Sequence, residues 1–293
     1  MRHFLLRLLC FALPVAMLIA TGEAYVRRLP NPARDKHAWM QRHSPEVETL
    51  VLGSSHTFYG IDPSRLGEHA YSLAMVSQTY RYDYYLLTHY PMPRLHTLIL
   101  PFSYFSLYED FETVSDAFYA ARYRIYMDCD IHSRLSAYNL ECAWWSSFRE
   151  KLRSLYEPQR LTWDERGFGT NYTLSSRPTD WDNGAERAAH NTYADTSAVA
   201  LNTHYLCAIR DFCRQRGIRF VLTTPPTYAT FRAHQAAEQR ARNAAVIDSL
   251  CLPLLDYEAD PRFGPQDFYD ADHLNTSGAR RYTDILYHDI QHQ

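Results

Sequence analysis

Residues 47–57 read VETLVLGSSHT, an apolar, β-rich run that reaches Gly53 and continues into small polar residues. The run predicts a strand that ends in a turn. In open parallel sheets, ligands bind beyond the carboxyl ends of the strands, so the residues of this turn are candidates for function. Ser55 can point its hydroxyl into that crevice, with the amides of a following helix facing a developing anion. Ser55 is therefore our candidate nucleophile, although Ser54, Ser55 and Thr57 can also serve simply as helix caps.

Four further short apolar runs predict four further strands, at 70–74, 97–100, 219–223 and 252–255. A helical pattern with three- and four-residue spacing precedes the fourth strand and stops at Gly217. Alternation of strand and helix favours a parallel sheet covered on both faces, with right-handed crossovers. We therefore predict an α/β fold with a doubly wound, flavodoxin-like, five-stranded parallel sheet.

One long stretch, about 104–200, lacks this alternation and is rich in tryptophan and tyrosine. We interpret it as an aromatic-rich insertion after strand 3. Aromatic side chains of this kind can stack on sugar rings, or they can pack an irregular lobe. Both interpretations stay open.

The first 28 residues differ from the rest of the chain. Arg2 and Arg7 flank or interrupt an apolar run from Phe4 to Ala20, which is typical of a membrane anchor or a secretory signal. A retained anchor, a cleaved signal and a buried core helix are the alternatives, in that order of preference. Residues 29–46 are polar and contain proline, which predicts a tether, and residues 47–293 then form a single α/β domain.

Composition narrows the function classes. The 293 residues carry a net charge of -3 and a pI near 6.5, so no basic field for nucleic acid exists. No CxxC metal pattern is present and we predict no cofactor. Among the six cysteines, Cys129 and Cys142 are the plausible local disulfide pair, and two unpaired thiols are the alternative.

A second signal lies near the C-terminus, where residues 268–275 read FYDADHLN. In a DxxH turn, Asp270 can fold back onto His273 Nδ1 and leave Nε2 to accept the proton of a serine. Asp270, Asp272 and His273 are also possible metal ligands, but no matching ligand cluster occurs elsewhere in the sequence. We predict no metal.

The Gly-Ser-Ser turn after strand 1, the doubly wound sheet and the DxxHLN motif before a last helix together resemble the SGNH (GDSL-like) hydrolase superfamily. The resemblance is strongest to membrane-anchored members that serve cell-envelope acylation beside a membrane-bound O-acyltransferase. It implies that Ser55 is the nucleophile and that His273 and Asp270 complete the triad.

The chain also departs from the family pattern. Ser54 replaces the usual aspartate of the first block. The resemblance places the oxyanion glycine of the second block near Ala74 or Ser77, and the oxyanion asparagine of the third block at Ser103. Losing one such donor typically costs about 100- to 1,000-fold in rate. His56 is expected either to line the pocket or to lie on the surface.

These observations predict a serine acyl-ester hydrolase or O-acyltransferase that acts on acylated cell-envelope glycan, attached to the membrane with its domain extracytoplasmic. Location in a bacterial periplasm or at the cell surface follows from the resemblance, and a secreted form is the alternative. A catalytically inactive, glycan-binding accessory to a membrane-bound O-acyltransferase is the rival function. A simple extracellular esterase without a transferase partner is the third.

Overall fold

The computed structural model describes residues 1–111, 118–129, 131, 140–141 and 162–292. All pairings in its five-stranded sheet are parallel, in the order β2-β1-β3-β4-β5. This is the predicted flavodoxin-like order, and the fold class is confirmed. The strands are β1 Thr49–Val51, β2 Ala70–Ser72, β3 Thr97–Pro101, β4 Arg219–Thr224 and β5 Leu254–Asp256.

Helices connect the strands and cover the sheet. The α-helices of the described residues, numbered here in chain order, are α1 Arg2–Arg28, α2 Pro32–His43, α3 Ser55–Phe58, α4 Tyr80–His89, α5 Phe118–Met127, α6 Gly184–His190, α7 Ser197–Gln215, α8 Ala229–Ala233, α9 Ala237–Leu250 and α10 Thr276–Gln291.

Strands β1, β2 and β3 are buried along their whole length, which is typical of a parallel sheet covered on both faces. Leu50 and Leu98 face a large core that also contains residues of α4 and α7. Val51 and Ile99, their immediate neighbours, face a second core formed largely by α10. The order of the strands changes direction between β1 and β3, so the crevice for a ligand lies beyond the ends of these two strands.

Parts of the predicted insertion return to these cores. Phe111 and Tyr123 are buried in the large core, and Phe168 is buried in the second. Aromatic residues of the insertion therefore serve packing at these positions. Trp144, Trp145 and Cys142 lie outside the described residues, so the proposed Cys129–Cys142 pairing stays a prediction.

The amino-terminal segment forms one continuous helix, α1, whose apolar window has a mean hydropathy of 2.2 and is not buried in the protein. By length and composition, α1 can cross a membrane, and a signal sequence near the N-terminus has the same properties. Only Glu23 and Val26 of α1 are buried. The exposed part of the helix is thus its amino-terminal portion.

Residues 29–46, predicted to be a tether, contain a helix, α2. Asn31 caps α2 by accepting hydrogen bonds from the amides of Ala33 and Arg34, and Pro32 occupies the first helical position. Although the segment is polar in composition, one face of α2 is buried. On that face Lys36 is 1% exposed and Met40 is 0% exposed. The segment is an integral part of the folded domain, directly after α1.

Candidate active site

The turn after β1 requires glycine. Gly53 has φ +108°, and a Cβ at this position would lie 2.2 Å from Pro101 Cγ. The turn is fixed further because Gly53 N donates to Asp83 Oδ1 (2.8 Å) and Thr57 Oγ1 donates to Leu52 O (2.8 Å). Ser55 is the first residue of α3 and is partly exposed. Because Ser55 begins the helix, its backbone N–H has no carbonyl acceptor within α3.

A second turn presents His273. Asp270 Oδ1 accepts the amide of His273 (2.8 Å) as well as its Nδ1 (2.9 Å), so one carboxylate fixes both backbone and ring. An isolated bridge between Phe268 and Leu274 closes the turn. Asn275 then caps α10 by accepting the amides of Ser277 and Gly278.

Folding brings these two turns together over 218 residues: the distance from His273 Nε2 to Ser55 Oγ is 2.8 Å. Since Nδ1 faces a carboxylate, it carries the ring proton of the neutral imidazole, and Nε2 is free to accept the serine proton. Ser55, His273 and Asp270 therefore have the geometry of a Ser-His-Asp triad. The structure brings the three predicted residues together.

A second carboxylate also acts on His273. Asp272 Oδ1 lies 3.3 Å from His273 Nδ1, and the Asp272 side chain is fully buried. Burial alone lowers the pKa of His273, but Asp270 and Asp272 outweigh it and raise the pKa to about 9. The imidazolium form that arises when His273 takes a proton is thereby stabilised.

Asp272 is held by the insertion. Arg187 of α6 donates from Nε to Asp272 Oδ1 (2.6 Å) and from Nη2 to Oδ2 (2.9 Å), and Asn191 Nδ2 adds a third bond (3.1 Å). Burial tends to raise the pKa of Asp272, but His273 and Arg187 hold it well below its usual range. Sequence reasoning missed Arg187 and Asn191, because no motif at 187–191 distinguishes them from surface residues.

His56 is buried beside this network rather than on the surface. Its Nδ1 lies 2.8 Å from Ser103 Oγ and its Nε2 lies 3.5 Å from Asp272 Oδ2. With Nε2 protonated toward the carboxylate, Nδ1 accepts the Ser103 hydroxyl proton. Ser103 is 2% exposed, and its hydroxyl makes this contact with His56. The expectation that Ser103 takes the position of the missing asparagine stays a prediction.

The predicted oxyanion segment runs beside the nucleophile turn, because Leu73 N donates to Val51 O and Met75 N donates to Gly53 O. Ala74 is fully buried, and its amide lies 3.3 Å from Ser72 Oγ. Ser77 is partly exposed and has φ +60°, in the left-handed region. These backbone hydrogen bonds place residues 73–75 next to the turn that carries Ser55.

A buried lysine amine is hydrogen-bonded to this segment. Lys36 Nζ of α2 donates to Ala74 O (2.5 Å) and to Gly167 O (2.9 Å) and lies 4.7 Å from the centre of the Phe58 ring. Burial lowers the pKa of Lys36 well below its usual value, and Asp164 opposes this only in part. The Lys36 amine, which belongs to the segment predicted as a tether, therefore joins the loops of Ala74 and Gly167, which are far apart in the sequence.

Ser54 is buried beside the nucleophile. Its hydroxyl has no hydrogen-bond partner in the described part of the chain, and the residue borders a small cavity that Gln78 and Asp83 also line. Asp83 accepts from Gln78 Nε2 (2.5 Å), and burial raises the pKa of Asp83 to about 7. Ser54 is therefore part of the support of the turn and not of the reactive surface.

Three tyrosines form a stack beside the triad. The ring centres of Tyr59 and Tyr172 are 3.7 Å apart and those of Tyr172 and Tyr269 are 3.8 Å apart, with nearly parallel planes. Tyr172, from the insertion, also meets the His273 ring edge-on at 5.5 Å. The stack limits the orientation of the imidazole from one side.

Ligand atoms of His56, Asp272 and His273 lie within 4.8 Å of one another, a spacing that is small enough for a metal ion. Both oxygens of Asp272 already accept from the Arg187 guanidinium. A bound cation would have to sit beside that guanidinium, and it would compete with Asp270 for His273 Nδ1 or with Ser55 for Nε2. The donor set fits a proton-transfer site better than a metal site.

No protein-family model and no curated protein matches this chain. Among solved structures, a GDSL-like lipase from Bacteroides thetaiotaomicron is similar, with 11% identity, a TM-score of 0.41 and coverage of 89% of this chain and 97% of that one. A "putative acylhydrolase" from Bacteroides fragilis has 10% identity, a TM-score of 0.38 and coverage of 92% and 94%. The sequence identity and the TM-score are low for both structures. The chemistry assigned to this chain therefore rests on its own side chains.

Proposed function

We propose that this chain is a serine acyl-ester hydrolase or O-acyltransferase. The observation that carries the proposal is the contact of Ser55 Oγ with His273 Nε2 at 2.8 Å, with Asp270 Oδ1 at 2.9 Å from the other ring nitrogen. The resemblance of the two sequence motifs to SGNH (GDSL-like) hydrolases points to the same chemistry.

In the proposed reaction, His273 Nε2 takes the Ser55 proton as the serine oxygen attacks the ester carbonyl. The tetrahedral intermediate collapses, the bond to the leaving alcohol breaks, and His273 returns its proton to that alcohol. Water or a sugar hydroxyl then attacks the acyl-enzyme by the same route in reverse and frees Ser55. The Ser55 amide, with the amide of Ala74 or Ser77, is the proposed oxyanion donor set. Use of the Ala74 amide requires its release from Ser72 Oγ.

Acylated envelope glycan is the proposed substrate, and a membrane-bound O-acyltransferase is the proposed partner. Helix α1 supports a membrane location, because it exposes apolar side chains along residues 4–19 and is long enough to span a bilayer. We propose that α1 is retained as an anchor and that the domain is extracytoplasmic, with a secreted, cleaved form as the alternative.

Labelling with a fluorophosphonate tests the proposed nucleophile. We expect the full-length chain in lipid nanodiscs to be labelled, and Ser55→Ala to lose the label. Ser54→Ala is the matched control: the adjacent hydroxyl is buried, so its loss should leave the label in place. Absence of label on the native chain, or label that persists in Ser55→Ala, would count against the proposal.

The rival function is a catalytically inactive, glycan-binding accessory. One observation favours it: the Ser103 hydroxyl, at the position of the family's oxyanion asparagine, is bound to His56. Glycan binding that is unchanged in Ser55→Ala and His273→Ala, together with no turnover of any ester, would support this function. Acyl transfer to a sugar rather than to water would instead distinguish the transferase from a simple esterase.

A further inference from the structure

Helix α1 passes from an exposed apolar run into the folded domain without a break. Every residue from Phe4 to Ala20 is exposed, whereas Glu23 and Val26, in the turns that follow, are 7% and 1% exposed. Glu23 is three residues after Ala20, which corresponds to about 4.5 Å along the helix axis. The domain therefore begins within one helical turn of the apolar run.

The junction between α1 and the domain is fixed by polar contacts. Glu23 Oε1 accepts the amide of Glu141 (3.0 Å) and the Nε of Arg27 (2.6 Å). Arg34 of α2 donates from Nη1 to Arg27 O (3.0 Å), and only residues 29–31 separate α1 from α2. Because hydrogen bonds cross the junction as well as the chain itself, the last two turns of α1 belong to the folded domain.

These distances determine how near the domain lies to a bilayer that α1 spans. The run from Phe4 to Ala20 is about 25 Å long at 1.5 Å per residue, and the hydrocarbon core of a bilayer is about 30 Å thick. The head-group layer adds about 5–8 Å on each side. The run thus has no length to spare, so Glu23 and its contacts with the domain fall within the head-group layer.

Two exposed apolar side chains lie at the same level. In the described part of the chain, the exposed large apolar residues that follow the apolar run are Tyr25, Leu140, Leu174 and Tyr287. Tyr25 is about 7.5 Å beyond Ala20 along α1. Leu140 directly precedes Glu141, whose amide bonds Glu23. Two of these four residues therefore lie beside the junction, where the head groups would be, and tyrosine is enriched at this depth in membrane proteins.

We propose that the domain rests on the phospholipid head groups of the membrane that α1 spans, with Tyr25 and Leu140 inserted at their level. Arg28, exposed at the end of α1, can extend its side chain back to the lipid phosphates. The docking rests on the proposed retention of α1 as an anchor and does not depend on the proposed ester chemistry.

Spin-label accessibility in the full-length chain tests the docking. The ketone-bearing amino acid p-acetylphenylalanine is placed singly at position 12, 140 or 287, so that a nitroxide can be attached without using the six native cysteines. The chain is placed in nanodiscs of phosphatidylethanolamine and phosphatidylglycerol. Collisions with oxygen, which dissolves among the acyl chains, and with a nickel chelate, which stays in water, report the depth of each label.

The three positions should give different collision rates. Position 12, in the middle of the apolar run, should be shielded from nickel and accessible to oxygen. Position 140 should have a nickel collision rate at least about threefold below that at position 287. Tyr287 is the matched control, because it is 39% exposed against 46% for Leu140, and its helix α10 covers the opposite face of the sheet from α2 and α5.

A lifted variant separates docking from anchoring. Seven residues of a Glu- and Lys-rich helical sequence, inserted after Ala20, add about two turns or about 10 Å of helix. Their charged side chains keep the insert out of the hydrocarbon core. The nickel collision rate at position 140 should rise to that at position 287, and the rates at position 12 should not change.

Two results would overturn the docking while position 12 stays shielded: equal nickel collision rates at positions 140 and 287 in the native chain, or a rate at position 140 that the insertion leaves unchanged. Free access of nickel to position 12 would overturn the anchor and the docking together. Ser55→Ala should give the native collision rates, so a failure of the fluorophosphonate test would concern the ester chemistry alone.

Discussion

The two halves of the candidate site are built over different distances in the sequence. The proton-transfer half is local: Asp270 bonds the backbone and the ring of His273, three residues away. The half on the other side of Ser55, residues 72–77, is held instead by Lys36, which is 38 residues from Ala74 and 131 residues from Gly167 and donates to the carbonyl oxygens of both.

This difference indicates which residues should tolerate substitution. The turn at 268–275 orients its own histidine and needs few contacts from elsewhere in the chain. Its residues act directly on the proposed reaction. A segment that depends on a buried lysine from another helix can shift when that helix changes. The following predictions test this contrast, from the largest expected effect to the smallest.

Removal of the reacting groups should have the largest effect. We expect Ser55→Ala and His273→Ala each to lower kcat for p-nitrophenyl acetate by about 10⁴-fold or more, because nucleophile and base act as a unit. The double variant should be no slower than either single one. Additive losses in the double variant would show that the two side chains do not cooperate.

Asp270→Asn should break the local half without removing the base. The amide can donate to Nδ1 and so favour the wrong tautomer of His273, with a loss of about 10³- to 10⁴-fold in kcat. Thermal unfolding of the variant provides the control for folding. A larger loss in Asp272→Asn than in Asp270→Asn would contradict the assignment of the triad carboxylate.

Lys36→Met tests the half that depends on distant contacts. It leaves two carbonyl oxygens without their donor, and we expect the free energy of unfolding to fall by about 1–3 kcal/mol. We also expect kcat for the same ester to fall roughly tenfold with little change in KM, since the segment is the proposed source of an oxyanion donor.

The matched control is Arg42→Met on the same helix. Its side chain is exposed, and its hydrogen bond within the described residues goes to Ala38 O of its own helix. It should change neither kcat nor stability. A loss of stability in Lys36→Met with native kcat would show that Lys36 is structural only.

The smallest effect on rate, but the sharpest on pH, belongs to Asp272. His273 must be unprotonated to act as a base, and its pKa is raised to about 9, so kcat/KM should rise with pH to a midpoint near that value. Asp272→Asn removes one of the two carboxylates, and its midpoint should move to lower pH with a rate change within about tenfold at the optimum.

The raised pKa of His273 also determines how the stability of the chain changes with pH. The pKa of His273 is about 9 in the folded chain and near 6.5 as a free side chain, so its stabilising contribution is complete below about pH 6.5 and is lost as pH rises through 9. The free energy of unfolding, followed by denaturant titration from pH 6 to 10, should show this loss in the native chain and less of it in His273→Gln.

Much of the fold could be predicted from the sequence. The five apolar runs become the five strands, and the Gly53 turn and the 268–275 turn place Ser55 and His273 as expected, because each depends on residues that are neighbours in the chain. The tether was not predictable as a helix. Its buried face consists of Lys36, Ala33 and Met40, and a lysine normally indicates a solvent-exposed position.

The residues that sequence reasoning missed act from a distance. Arg187 reaches Asp272 across 85 residues, and Asn191 reaches the same carboxylate across 81. Neither position belongs to a local pattern, and the tendency of arginine and asparagine toward the surface hides both.

The sequence by itself determined the α/β class, the apolar first helix and the two short motifs that can supply a serine and a carboxylate-bound histidine. These follow from periodicity and from turns of a few residues, where backbone geometry leaves little choice. Only the tertiary structure decided that the two motifs meet, that Asp272 pairs with Arg187, and that Ser103 lies within hydrogen-bond distance of His56. Those outcomes depend on which side chains share one buried volume, and burial is a property of the packed chain as a whole.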